Sequence, residues 1–519
     1  MSTITSGSRL PMQPDEPEKV WITLVLLLAG VAAYLYLNLF ILPGTPVLLS
    51  GDQLFFWMNG QRMLHAELPY LDFFQFTPPG TDLVYFAVFK TLGPRIWATD
   101  TVVLLLGVAL CWVCFEIAVK LMHRSLAVLA TLLFLTLIYS RLLNATHHWF
   151  SVLAIMTAVA VLMRGTDAHR LGWAGALLGL ASFFTQTHAI AALFAISLFL
   201  RDSNVPSRSG QSFWRMERTL LAGFFIALLS LNAYFIARVG IGRLLYCQVY
   251  YVLRVMVHRP ETALLGMPEP QTWRTVPVIS LVYEYGQYAF VYAMLPIGYA
   301  LALARSWRRR GSATSGHSEV ALLAIVGSCL LLELVFSLNW LRLYAVSMPG
   351  VILFVWWLAQ NLKVRRYALA VVWIGVGCLA VQRVCSTQRH DYVRAQLPGG
   401  QCATSVAEYE RLTWLSQHSV PGDFLFEAGW PGVYIPLDLR NPVFLDTAAT
   451  MLNPEWAKRV VQQLDAREVR YVLWTARFNY PIDPRRPWTE HIAPLRSYLH
   501  ANYQLVHTFP DGEEAWERR

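Results

Sequence analysis

The sequence predicts a mainly α-helical, polytopic membrane bundle of about eleven spans, followed by a small C-terminal soluble α/β domain. Three observations carry that expectation. Charged residues are 14% of the chain, against about 25% in an ordinary soluble domain, and mean hydropathy is +0.41. The charge shortfall is concentrated between Trp21 and Val384, where long apolar runs alternate with short, often basic connectors. Runs of about 20 residues match a ~30 Å hydrocarbon layer, and their continuity excludes the alternating strands of a membrane barrel.

Taken in chain order, residues 1–19 form a cytoplasmic N-terminus and 20–384 the membrane domain. The first run, 20–42, is too long for a signal-peptide core and lacks a small-x-small cleavage site, so it is an uncleaved anchor. Further spans are expected at 98–121, 125–143, 146–164, 170–184, 187–200, 217–239, 276–304, 319–338, 343–361 and 366–384. The polar Thr185-Gln186-Thr187-His188 divides a stretch too long for one ordinary span. Thr81–Leu92 is too short to cross. Bracketed by Pro78, Pro79, Gly80 and Gly93, it is expected as an interfacial helix within one long loop, 43–97.

The net charge of +9 does not point to nucleic acid, because of where the cations fall. Lys120, Arg124, Arg164, Arg170 and the run Arg308-Arg309-Arg310 all lie in connectors on one side. The positive-inside rule makes that side cytoplasmic and carries the tail, 385–519, to the extracytoplasmic face. In the tail, 424–426, 443–445 and 471–474 are expected as short buried strands, and 408–418 and 454–464 as helices, with Asn453 capping the second. No dinucleotide fingerprint or phosphate loop occurs. The seven cysteines form no metal pattern; Cys111 and Cys114 are buried small hydrophobes, and Cys385 and Cys402 are either free or paired in an oxidising compartment.

The loop 43–97 holds the candidate chemistry. Gly51-Asp52-Gln53 opens a helical stretch just beyond the first span, and Asp52 is either a helix cap or a catalytic base. Arg62 closes that stretch, and Asp72 follows in Pro69-Tyr70-Leu71-Asp72-Phe73, as a structural or an acceptor-orienting acid. Arg141, Asn144, His147 and His148 crowd the next external turn; adjacent histidines on a helix diverge by about 100°, so one of the pair faces the site. Arg243, Arg254 and Arg259 lie in the long external segment after the seventh span. Arginines at that surface either bind a phosphate diester or snorkel to lipid headgroups. A carboxylate with nearby histidines permits a divalent metal without requiring one, and no metal ligand is assigned.

One span, then Gly51-Asp52-Gln53 with a helix, then Pro69-Tyr70-Leu71-Asp72-Phe73 and Pro78-Pro79-Gly80, then a dipping helix ending at Gly93, resembles GT-C class membrane glycosyltransferases. The likeness in style is to the protein-mannosyltransferase-like family and the aminoarabinose lipid A transferases. It implies a polyprenyl-phosphate sugar donor, a lipid, glycan or protein acceptor, and Asp52 as the acid of the first external loop. It implies a multi-pass protein of the plasma (inner) membrane with the chemistry outside. Two departures stand out. Phe76-Thr77 replaces the polar dipeptide, often Asp-Lys, that precedes Pro-Pro in many relatives, which removes a lysine contact to the donor phosphate. Asn144 and His147-His148 stand where many relatives carry a second acid. Against a transporter, only Glu116 and Glu333 are acids well inside spans, and no internal repeat is visible. A non-catalytic assembly factor is the remaining alternative.

Overall fold

In the computed structural model, residues 17–201, 212–256, 278–308, 317–336, 339–360, 365–451, 453–480 and 491–519 are described. Each apolar run of the sequence coincides with a helix. Helix α1 (Pro17–Leu39) leads through a two-residue hairpin, β1 (Phe40–Ile41) and β2 (Thr45–Pro46), into α2 (Gln53–Leu64) and α3 (Gly80–Leu92). Then follow α4 (Ile96–Leu121), α5 (Arg124–Leu133), α6 (His147–Leu162), α7 (Ala168–Ser182), α8 (Gln186–Arg201), α9 (Phe213–Val239) and the short α10 (Ile241–Leu245). The bundle is completed by α11 (Val278–Arg308), α12 (His317–Glu333), α13 (Trp340–Ala345), α14 (Met348–Gln360) and α15 (Arg365–Arg389). Among the described residues six helices are long and apolar enough to cross a membrane, and α6, α8 and α14 are shorter apolar helices.

Local chemistry sets the ends and bends. Asp167 caps α7 through Arg170 N, and Asn339 caps α13 through Arg342 N. After α5 the chain widens into a π turn over Phe134–Ile138 and tightens over Tyr139–Arg141. Such a turn displaces backbone carbonyls from their helical partners. Arg383 on α15 meets two of them, donating from Nε to Thr136 O (3.0 Å) and from Nη1 to Ser140 O (3.2 Å). Two acids that the sequence places inside spans each have a basic neighbour. Glu116 pairs with Arg164 at 2.8 Å, and Glu333 lies 3.5 Å from His188 Nε2.

Helices α7 and α9 touch backbone to backbone. A Cβ on Gly175 would stand 2.0 Å from Leu220 O, one on Gly179 2.5 Å from Phe224 O, and one on Gly223 2.2 Å from Gly172 O. Small residues at these positions allow the close approach by which membrane helices gain dispersion contact.

The tail begins with the hairpin β3 (Val393–Leu397) and β4 (Gly400–Thr404) and helix α16 (Val406–His418). It continues with β5 (Leu425–Glu427), α17 (Tyr434–Leu437), α18 (Pro454–Ala466), β6 (Tyr471–Thr475), α19 (Ala493–Asn502), β7 (Tyr503–Thr508) and β8 (Glu513–Arg518). The sheet runs β5-β6-β8-β7, with β5 parallel to β6 and the other pairs antiparallel. Asn453 Oδ1 accepts from Trp456 N, so the expected cap of α18 is present. Cys385 and Cys402 are both free.

One expected strand is absent. Val443–Leu445 is buried but joins no sheet; its backbone is satisfied by the loop 43–97 and by side chains. Arg62 donates to Val443 O (2.9 Å), Phe74 N to Phe444 O (2.7 Å), and Asn441 Nδ2 to Leu445 O (3.0 Å). Apolar content marks burial, but without an adjacent ladder it does not make a strand. Around this seam one hydrophobic core joins Leu68, Tyr70 and Phe74 of the loop, Phe235 near the end of α9, Leu244 of α10, and Phe444, Val472 and Trp474 of the tail. The tail is therefore seated on the loop and on α2, not tethered beyond them.

Candidate functional site

Helix α2 presents two polar groupings. Asp52 precedes its first residue but makes no side-chain capping bond, and among the described residues its carboxylate accepts no hydrogen bond. Burial pushes its proton affinity above the usual carboxylate range, and the Arg342 guanidinium opposes that shift. Asp52 is held there by its neighbours. Gln53, fully buried, anchors Ser50 O through Nε2 (3.1 Å) and takes Ala145 N through Oε1 (3.2 Å). Tyr85 of α3 donates to Ala145 O (3.1 Å), so α2 and α3 together hold the turn that leads into α6.

That turn carries His147, which shares a hydrogen bond between Nδ1 and Thr185 Oγ1 (2.8 Å) and packs edge-on to Phe56. His148 stacks behind it at 3.9 Å, and His188 follows at 5.1 Å from His148. Arg342 stands opposite on α13, which packs against α6. Its charge acts on Asp52, on Glu333 and on the three imidazoles. Among the described residues Arg342 has no ion pair within salt-bridge distance, and its charge is felt by two carboxylates, Glu333 and Asp52. Above the start of α2, the tail's Trp430 packs on Phe55 at 5.1 Å with about half its surface exposed.

The second grouping is at the seam with the tail. Asp82 of α3 is fully buried and accepts from Asn59 Nδ2 (3.2 Å) and Gln75 Nε2 (2.9 Å). Burial pushes its carboxyl up to about 8, with a smaller contribution from Asp446. Burial likewise pushes Asp446 up to about 7, against the opposing charge of Arg62.

The remaining sequence candidates go elsewhere. Arg62 is committed to structure: it pairs with Glu67 at 2.7 Å, donates to Val443 O, and lies over the Phe73 ring at 4.6 Å. Asp72 is exposed and closes its own turn by accepting from Leu68 N (2.7 Å). Asn144 is buried and accepts from Thr146 Oγ1. Arg141 is half-buried in the tight turn after the π segment. Arg243 and Arg254 line cavities on the segment after α9, and Arg259 lies outside the described residues.

Arg342, Glu333 and His188 thus join the Asp52 grouping, and Arg342 went unmarked in the sequence. Its signal is slight: one arginine in a short polar connector, three residues after a capping asparagine. Among the described residues no three His, Cys, Asp or Glu side chains gather as a metal-holding group.

No family model and no curated protein matches the sequence. Solved structures do. ArnT from Cupriavidus metallidurans in the apo state superposes with a TM-score of 0.58 at 12% identity, covering 96% of this chain and 98% of that one. The same protein bound to undecaprenyl phosphate gives a TM-score of 0.53 at 12% identity, covering 96% and 97%. The archaeal oligosaccharyltransferase AglB from Archaeoglobus fulgidus, in complex with an inhibitory peptide and a dolichol-phosphate, gives 0.52 at 12% identity, covering 96% and 74%. On this likeness the chain has the fold of the GT-C glycosyltransferases.

Proposed function

We propose that this protein is a glycosyltransferase that moves a sugar from a polyprenyl-phosphate donor to an acceptor at the extracytoplasmic face of the membrane. The observation that carries the reading is a carboxylate at Asp52 that accepts no hydrogen bond and lies within reach of the charge of Arg342, an arginine with no ion-pair partner among the described residues. The neighbours bound to undecaprenyl phosphate and to dolichol-phosphate support a lipid-phosphate donor.

Asp52 takes the proton of the acceptor hydroxyl as that oxygen bonds to the anomeric carbon. The bond from the anomeric carbon to the phosphate oxygen breaks, and the polyprenyl phosphate leaves with the electron pair. Arg342 offsets the charge that develops on the phosphate, in the part that lysine fills in many relatives. A carboxylate whose proton affinity is raised by burial is a stronger base than one in water, and Asp52 has that property. His147, held by Thr185, is a neutral donor or acceptor within reach of the Arg342 charge. The orientation of charge along the chain supports a cytoplasmic N-terminus and an extracytoplasmic tail.

Purified protein in detergent, offered radiolabelled polyprenyl-phosphate sugars, is expected to transfer label. Asp52→Asn is expected to lower the rate by ~10²–10⁴-fold, the usual contribution of a general base, with an unchanged melting profile. Equal rates for the two proteins would remove Asp52 from the reaction. No transfer by the wild type from any donor would end the enzymatic reading.

A further inference from the structure

Apart from the Asp52 grouping, two cavities meet on the segment that follows α9. The smaller, about 90 Å³, is lined by Arg243, Arg459, Tyr246, Trp456 and the exposed Asp72. Arg243 is steered toward it by donating to Leu71 O (3.3 Å), and Arg459 by lying over the Phe444 ring at 4.0 Å. Among the described residues neither guanidinium is ion-paired, and the charge of Arg243 reaches Arg459. The Asp72 carboxylate lines the same cavity with its Oδ2 turned to Leu68 N, and among the described residues it is ion-paired with neither arginine. Two guanidiniums against one carboxylate leave the cavity with a net positive charge that a bound oxyanion would offset.

The second cavity is an open groove of about 720 Å³ and shares Tyr246 with the first. Leu245, Val249 and Leu253 recur along one stripe of the helical segment 241–256 and are 52%, 42% and 60% exposed. Tyr250 and Arg254 complete the wall. A cationic hollow that shares the Tyr246 wall with an open, mainly apolar groove has the polarity pattern of an amphiphile.

We propose that this composite cavity is a second lipid site, in which Arg243 and Arg459 hold the phosphate of an anionic membrane lipid and the Leu245–Val249–Leu253 stripe holds its acyl chain. None of its lining residues belongs to the Asp52 grouping, so it stands whether or not the chain transfers sugar. The headgroup is fixed by two residues from different parts of the chain, the segment after α9 and the tail, so an occupied site binds those parts together.

The test uses the full chain in detergent and native mass spectrometry with di-C14 phosphatidylglycerol, the matching phosphatidylcholine, and inorganic phosphate as separate titrants. One phosphatidylglycerol is expected to be retained with at least tenfold preference over phosphatidylcholine. Arg459→Gln alone, and with Arg243→Gln, is expected to reduce that preference to near unity. Val249→Glu is expected to weaken lipid retention while leaving phosphate binding unchanged. Equal retention of the two lipids, or a preference that survives the arginine substitutions, would overturn the site in favour of an unspecific lipid-facing surface. Phosphate binding with a lipid affinity indifferent to Val249→Glu would leave an oxyanion site alone and overturn the lipid assignment. Unchanged circular dichroism of each variant separates lost binding from lost fold.

Discussion

At Asp52, burial and the Arg342 charge pull proton affinity in opposite directions, and their balance sets how strong a base the carboxylate is. Arg342→Gln removes both that restraint and the offset to developing phosphate charge. It is expected to lower kcat in the sugar-transfer assay by ~10²–10³-fold, the range for losing one pre-positioned charge donor. Arg342→Lys keeps the charge but loses the planar fork, and its rate is expected to fall between the two; a lysine variant as slow as the glutamine one would show that geometry, not charge, is what the site requires. The two partners differ in how legible they are. Asp52 stands out because glycine, acid and amide follow directly on a span, where a carboxylate is conspicuous. Arg342 does not, because its meaning depends on which helix ends face one another, and that is settled by packing across more than two hundred residues of chain. Arg62 and Asp72 show the reverse. Their residue types and their loop suit chemistry, yet the seam with the tail and a local turn claim them.

Helices α2 and α3 interlock where Gly60 meets Tyr85. A Cβ at Gly60 would lie 2.8 Å from Tyr85 Cβ and 3.0 Å from Phe86 N, with no flexible chain end to yield. Gly60→Ala is expected to cost about 1–3 kcal/mol by overpacking, read as a lower denaturation midpoint; an unchanged midpoint would mean that α3 slides freely. The same pair of helices frames the Asp82–Asn59–Asp446 grouping, which predicts a pH response. Both carboxyls have folded values, about 8 and about 7, above their ordinary value of 3.8. Folding therefore retains their protons. The stabilisation is fully present below pH 3.8, declines as pH rises, and is lost once pH has passed about 7 and then about 8. The slope is about 1.4 kcal/mol per pH unit for each retained proton. Melting temperature is expected to fall between pH 5 and 8 less steeply in Asp446→Asn than in the wild type; parallel curves would show that Asp446 stays ionised. Element positions were legible where hydrophobic run length decides them, as for the long apolar helices, or where a cap marks the start, as Asn453 does for α18. The strand expected at 443–445 failed because a buried apolar tripeptide has no register until its neighbours are known, and here they are loop residues.

For the whole molecule, the orientation of the bundle is the expectation with the widest reach. Alkaline phosphatase fused after Arg519 is expected to be active and green fluorescent protein there dark, with the reverse for fusions within 122–124. A fluorescent C-terminal fusion would put the Asp52 face in the cytoplasm and rule out a donor presented on the outer leaflet. The bundle and its α/β cap were legible because charge is scarce in one part of the chain and ordinary in the other. The seating of the cap on α2 was not, since it depends on a core contributed by three separated stretches.

The glycine contacts between α7 and α9 make those helices one mechanical post. With backbone resting on backbone, there is no layer of side chains to part or to slide by small steps. The segment 241–256 continues from the end of α9 through Gly240. An amphiphile that slips in sideways from the bilayer has to find its doorway along another seam of the bundle.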